Sequence, residues 1–451
     1  MLNFLFRLIM ILPIFQTWLT WNGVGIAQYL DHALYFAFSA ILVLFIFFKN
    51  IKLSKQLILV ISLFALFINI GLFTTLIQGM LNSHTSLNGV VWEVYKLSRN
   101  LSIFLFAYYF QNKNDVIKNV KMYFKVSFLF VLISVFQYFF GLKAYEILHF
   151  IPASIEEYPD FYNVYIPQNR TMGLLQHPGI YAEFVLVALM VLIFSVALKV
   201  RLFKYKFYHY LTLLTCLIGI FISSSRSTFL LSIILPFLLS YMFKMRKIRK
   251  IYYVLLFLAS PFLYFAIKQL LFKLWQYSYY TVQLGQTEGR IVYWQQALDI
   301  FKNNPFGSGL GTWGDASAQY SNYQPNGEIV KMSDAYLSHL IAENGFSLLF
   351  IAILFIYCLR FFRKGFKKTS DNFVQFLNIT SFSFLLFIFF SSFKSMQLSM
   401  FEDSFFIFYI LGFTFKMNLE HKREKVEDKL NHADLGLIKH THMKDISPYS
   451  K

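Results

Sequence analysis

The feature that most constrains this chain is its succession of long apolar runs. Twelve stretches are rich enough in Leu, Ile, Val and Phe to cross a hydrocarbon layer: 2–20, 32–48, 57–77, 90–110, 124–141, 178–198, 208–223, 227–243, 251–271, 336–359, 372–391 and 404–416. A helix needs about 20 apolar residues to span the ~30 Å core of a bilayer. Only helices and closed barrels satisfy their backbone polar groups there. Composition agrees: 57% of the 451 residues are hydrophobic and 14% charged, and 56 are Phe. A soluble domain carries closer to a quarter charged residues. The sequence predicts an all-α integral membrane protein of about twelve transmembrane helices. The fourth run is the weakest, because Glu93, Lys96 and Arg99 interrupt it. The first run, with Arg7 and Pro13 and no small-residue cleavage pattern, reads as a retained span and not as a signal peptide.

Orientation follows from the connections. Of the 41 Lys and Arg, 29 fall in six segments: Lys49–Gln56, Gln111–Lys125, Lys199–His209, Lys244–Lys250, Arg360–Lys368 and the tail from Lys416. The alternate connections hold eight. Basic loops remain cytoplasmic, so both termini are predicted inside, in agreement with an even number of spans. The formal net charge of +18 is mostly this orientation signal. It is not the clustered basic face of a folded nucleic-acid-binding domain, and no nucleic-acid partner is expected. A polytopic domain over 1–416 and a polar cytoplasmic tail over 417–451 follow. Lysines in that tail suit a frayed helix near anionic headgroups, and its His432, His440 and His442 read as solvated. Two outer segments are long, about 141–177 and about 272–335, the larger containing short helices.

Cys216 and Cys358 lie inside apolar runs and offer neither a disulfide framework nor a thiolate metal site. There is no internal repeat, which argues against a transporter built from two comparable halves.

Ionisable residues at membrane depth are costly and mark function by default. On the outer side they form four groups. The first is Arg170-Thr-Met-Gly173, followed by His177-Pro178-Gly179 and a span carrying Glu183. Pro178 suits a first helical turn, and the start of that helix directs its dipole at an outer anion. Pairing with an arginine explains Glu183 equally well. The second group, Ser223-Ser-Ser-Arg226-Ser-Thr228, is a tight hairpin with an arginine on the translocated side. The third runs from Thr287 through Arg290 and Trp294 to Phe301, apolar at helical spacing. It is followed by a Gly-rich stretch, 304–314, that is either a plain turn or a close approach to a ligand. The fourth, Ser333-Asp334-Ala-Tyr336-Leu-Ser-His339 to Glu343-Asn-Gly345, leads into the tenth span. Its His339 and Glu343 share a helix face at i, i+4. Arginines suit bidentate phosphate contact. With a carboxylate as base, the set suits a lipid-linked pyrophosphate.

Four of these stretches carry a family resemblance: RTMGLLQHPGIYAE at 170–183, SSSRSTFLL at 223–231, GRIVYWQQALDIFKNNPFGSGLGTW at 289–313 and SDAYLSHLIAENG at 333–345. Their order and spacing resemble the bacterial O-antigen polymerase and ligase proteins. The resemblance implies a multi-pass protein of the bacterial inner membrane with a large periplasmic loop. It also implies glycosyl transfer from undecaprenyl pyrophosphate without nucleotide sugar, metal or other cofactor. The acceptor is another lipid-linked repeat in polymerases, and lipid A–core or protein in ligases. Polymerases of this kind work beside a chain-length regulator protein. Ligases typically show a His-Asn pair where this chain has Ser333-Asp334, and this departure favours the polymerase branch, making O-antigen or capsule. On this reading the expected catalytic residues are Asp334, Arg290 and Arg226, and the expected substrate-binding residues are Arg170, His177, Glu183, Trp294, Tyr336, His339 and Glu343.

Overall fold

The computed structural model describes residues 1–22, 24, 30–48, 53–81, 87–151, 161–162, 166–167, 169–175, 177–246, 248–250, 253, 288–313, 336–393 and 401–442. The fold is all-helical, with no strand among these residues. In chain order the helices are α1 (Leu2–Trp21), α2 (Leu30–Phe48), α3 (Lys55–Leu81), α4 (Leu87–Phe110), α5 (Lys113–Phe140), α6 (Leu142–Ile147), α7 (Pro178–Ala197), α8 (Lys206–Ile222) and α9 (Arg226–Met242). There follow α10 (Glu288–Asn303), α11 (Tyr336–Asn344), α12 (Leu348–Lys368), α13 (Asn372–Ser392) and α14 (Phe401–His442).

Local chemistry sets several helix starts. Asn112 accepts from the Asp115 N–H at 2.9 Å to cap α5, and Asp371 accepts from the Phe373 N–H at 2.7 Å to cap α13. His177 caps α7 through Nδ1, which accepts from the Gly179 N–H at 2.9 Å, with Pro178 at the first helical position.

Five stretches are long and apolar enough to cross a membrane: Lys55–Gln78, Lys113–Phe140, Pro178–Ala197, Tyr336–Lys368 and Asn372–Ser392. Shorter apolar helices cover Leu2–Leu12, His32–Phe48, Lys206–Ile222 and Ser227–Met242. The chain is a multi-pass membrane protein. The predicted span at 251–271 and most of the predicted outer loop at 272–335 lie outside the described residues. Helix α4 forms where the fourth span was expected, but its three charges keep it out of the apolar set. Helix α14 runs through residue 416 without a break, so the polar tail begins as a continuation of the last apolar helix.

Burial sorts the helices. Of the apolar stretch in α7, 83% is buried, against 17% for Tyr336–Lys368. Helix α7 is therefore the core, packed on by α5, α8, α9, α13 and α14. Helix α12 instead shows Leu349, Ile353 and Ile356 outward, as a lipid-facing helix must. Small residues set the closest approaches. A side chain at Gly219 of α8 would reach within 2.8 Å of the Tyr181 hydroxyl on α7. Gly412 of α14 lies directly against the Phe104 carbonyl of α4. Around this core, Tyr123 stacks on Phe406 with ring centres 3.9 Å apart and donates to the Phe184 carbonyl at 2.9 Å.

Candidate functional site

Helix α4 carries Glu93, Lys96, Arg99 and Asn100 on one buried face, spaced by three and four residues. Helix α11 buries Tyr336, His339, Glu343 and Asn344 in the same way. The two faces meet. His339 Nε2 lies 3.3 Å from Glu343 Oε2 on its own helix and 3.6 Å from Glu93 Oε2 on α4. Lys96 forms an ion pair with the other oxygen of Glu93. The Tyr336 ring stacks on the imidazole with centres 5.8 Å apart and planes 15° from parallel. The Arg99 charge acts on both Tyr336 and His32 of α2. His32 shares a hydrogen bond of 3.1 Å with the Tyr95 hydroxyl.

The Gly-rich turn at 307–313 locks the two helices into this register. Its Ser308 and Gly309 N–H groups donate to the Ala342 and Glu343 carbonyls at 2.8 and 3.0 Å, satisfying the last acceptors of α11. The Leu310 N–H donates to Thr75 Oγ1 on α3 at 2.7 Å. The Trp313 N–H donates to Glu343 Oε1 at 3.1 Å, leaving Oε2 for His339. Gly309 and Gly311 take φ of +98° and +75°. A Cβ on Gly309 would lie 2.8 Å from Thr75 Cα, and one on Gly311 2.5 Å from the Gly89 carbonyl carbon. The glycines thus serve helix contact: the turn is wedged among α3, α4 and α11, and approaches backbone where sequence left open a ligand. Trp313 is fully buried, and its indole N–H has no hydrogen-bond partner among the described residues.

Isolated ions are expensive at this depth. Here two carboxylates meet one ammonium and one guanidinium, so the cluster is neutral when His339 is neutral. Glu93, His339 and Glu343 also bring their ligand atoms within 4.8 Å of one another, a donor set suited to a divalent cation. The Lys96 ammonium on Glu93 already supplies a counter-charge, and a divalent ion would leave the buried cluster with an excess of two positive charges. The arrangement is a self-neutralising polar contact that ties α11 to α4.

Of the residues expected from sequence, the structure brings Tyr336, His339 and Glu343 together. Glu93, Lys96 and Arg99 join them although sequence reading assigned them no role. Their signal was present: three charges at helical spacing within an apolar run, read as a weak span instead of a buried face. Arg170, His177 and Glu183 belong to a second group, on α7 and the segment before it. Arg170 is half-buried, and its carbonyl faces the Tyr145 hydroxyl at 3.5 Å. The following turn is held by Gln137 of α5, which accepts from the Gly173 N–H at 3.0 Å and donates to its carbonyl at 2.6 Å. Ser134 bonds Thr171 beside it. His177 is exposed and Glu183 buried on α7. Trp294 of α10 stacks on Phe393 with ring centres 6.0 Å apart. Arg226 opens α9 and Arg290 stands in the first turn of α10. The side chains of both arginines, and all of Ser333 and Asp334, lie outside the described residues.

Residues 211–353 match the family described as O-antigen ligase, in agreement with the O-antigen polymerase and ligase family. No curated protein matches the chain. The matched stretch runs from α8 into α12 and includes the Gly-rich turn, His339 and Glu343. It does not include α3 or α4, so Thr75, Glu93, Lys96 and Arg99 complete the cluster from outside it.

Proposed function

We propose that this chain, with its O-antigen ligase domain at 211–353, is a polysaccharide polymerase of the bacterial inner membrane. It joins oligosaccharide repeats carried on undecaprenyl pyrophosphate at the periplasmic face, and both termini are cytoplasmic. The domain match carries the glycosyl-transfer reading. Ser333-Asp334, standing where ligases typically show His-Asn, favours the polymerase over the ligase.

An acceptor-sugar hydroxyl attacks the anomeric carbon of the donor's first sugar. The bond from that carbon to the pyrophosphate oxygen breaks, and undecaprenyl pyrophosphate leaves with the bonding pair. Asp334 takes the hydroxyl proton. Arg170, Arg226 and Arg290 hold the departing charge. In the sequence Asp334 stands two residues before Tyr336, where α11 begins, and α11 carries His339 and Glu343. Because those side chains are fully buried, they act as positioning residues: with Glu93 they fix the rotation of α11. No metal is required for any step.

A surface-glycan gel of a strain lacking the gene, beside one restored with it, tests this. Single repeats on the lipid core, or loss of high-molecular-weight capsule alone, are expected. Full-length polymer accumulating on undecaprenyl pyrophosphate without reaching lipid A–core or protein would establish the ligase reading instead.

A further inference from the structure

Three connections from distant parts of the sequence meet at one end of the bundle. The start of α5, the turn after α7 and the start of α13 line a cavity of about 280 Å³ bordered by Lys113, Lys199, Arg201, Asp371 and Phe373. The Lys and Arg pattern assigns all three connections to the cytoplasmic side, at the level of lipid headgroups. Phe373 is buried and forms an apolar floor, and the Lys113 ammonium sits 4.7 Å from its ring centre. Lys199, just past the end of α7, has left-handed backbone with φ of +57°. Among the described lining residues the acid is Asp371, which accepts from the Phe373 N–H at 2.7 Å to cap α13 and leaves the three cations in excess. The first turns of α5 and α13 both border the cavity, so their dipoles add positive potential to the three cations.

We propose that this cavity binds the phosphate headgroup of an anionic phospholipid of the cytoplasmic leaflet. Three basic side chains around an apolar floor match a phosphodiester whose glycerol and acyl chains continue into the bilayer, and basic pockets between spans at this face take such headgroups. A zwitterionic headgroup of similar size brings its own cation into a site that already holds three. The inference is independent of the glycosyl-transfer reading.

The test is native mass spectrometry of the full chain released from nanodiscs of mixed phosphatidylglycerol and phosphatidylcholine. The parent is expected to retain phosphatidylglycerol selectively. Lys199→Gln and Arg201→Gln should each lower that retention about fivefold, the value of one basic residue at a charged leaflet. The matched pair Lys244→Gln and Arg246→Gln, in another basic connection, should leave it unchanged. All four side chains are exposed, so melting in pure phosphatidylcholine should match the parent for every variant. Equal retention of the two lipids, or equal losses from both pairs of substitutions, would overturn the site. Displacement of the lipid by inorganic phosphate at the same phosphorus concentration would make it a site for soluble phosphate and overturn the lipid assignment.

Discussion

Glu343 divides its two carboxylate oxygens between two tasks: Oε1 accepts from the Trp313 backbone N–H at 3.1 Å, and Oε2 faces His339 Nε2 at 3.3 Å. One side chain therefore ties the Gly-rich turn to the charge cluster. Glu343→Gln keeps an acceptor for Trp313 but removes the charge beside His339. It leaves the cluster with an excess positive charge, so it should be less stable than the parent but more stable than Glu343→Ala, and on the proposed function it should lose most polymerising activity. Glu343→Ala removes both and should lower stability by about 3–5 kcal/mol, the usual cost of breaking a buried pair. Thermal unfolding followed by the exposure of buried Cys216 to a thiol dye measures this in detergent. Equal melting of the two variants would refute the division of roles.

Lys96 depends on Glu93 for its counter-charge in a buried setting. Glu93→Gln alone should cost several kcal/mol, since it strands an ammonium. Adding Lys96→Met should recover much of the loss, with a coupling of about 1–3 kcal/mol across the double-mutant cycle. Additive losses would mean that the pair is energetically idle.

Gly311 and Gly141 separate two costs of substitution. Both have positive φ, +75° and +54°. A Cβ at Gly141 meets nothing within 4 Å, while one at Gly311 meets the α4 backbone at 2.5 Å. Gly141→Ala should cost about 1–3 kcal/mol for its glycine-only backbone conformation alone, φ +54° and ψ −136°. Gly311→Ala must also push the turn off α4, and should lower both the melting temperature and the activity. Similar melting temperatures for the two would show that the turn is not wedged.

His177 reads either as a ligand for substrate or as a helix cap. His177→Asn keeps a capping acceptor and should leave stability near the parent, while His177→Ala should cost about 1 kcal/mol. If His177→Asn makes full-length glycan, the cap accounts for the histidine. A stable variant with short glycan assigns it to substrate.

Under the proposed mechanism Asp334→Asn should slow transfer far more than it weakens donor binding, since it would remove a proton acceptor used only as the reaction proceeds. Alanine at Arg170, Arg226 or Arg290 should each shorten the glycan at normal expression. Unchanged polymer in all three would remove the pyrophosphate site from the proposal.

The course of the chain was legible where physics is local. Apolar runs gave the helices, and Pro178 marked the start of α7. What was not legible was the rotation of one helix against another. Nothing local in 90–110 says that Glu93 faces His339, 246 residues later, and without that partner three charges look like a defect in a span. The glycines of 307–311 were ambiguous for a related reason. Positive φ can be inferred from Gly density, but whether a ligand or a helix fills the space beside it depends on what packs there.

The Glu93–Lys96 pair has a consequence for biogenesis. Helix α4 leaves the ribosome long before α11 exists, so it must enter the membrane without His339 or Glu343. A lone carboxylate there would be costly to insert. Because its ammonium partner stands three residues along the same helix, α4 carries its own neutralisation through the translocon, and only Arg99 awaits surroundings supplied by other helices. So polar a helix can thus be made early and wait for the one that completes its buried face.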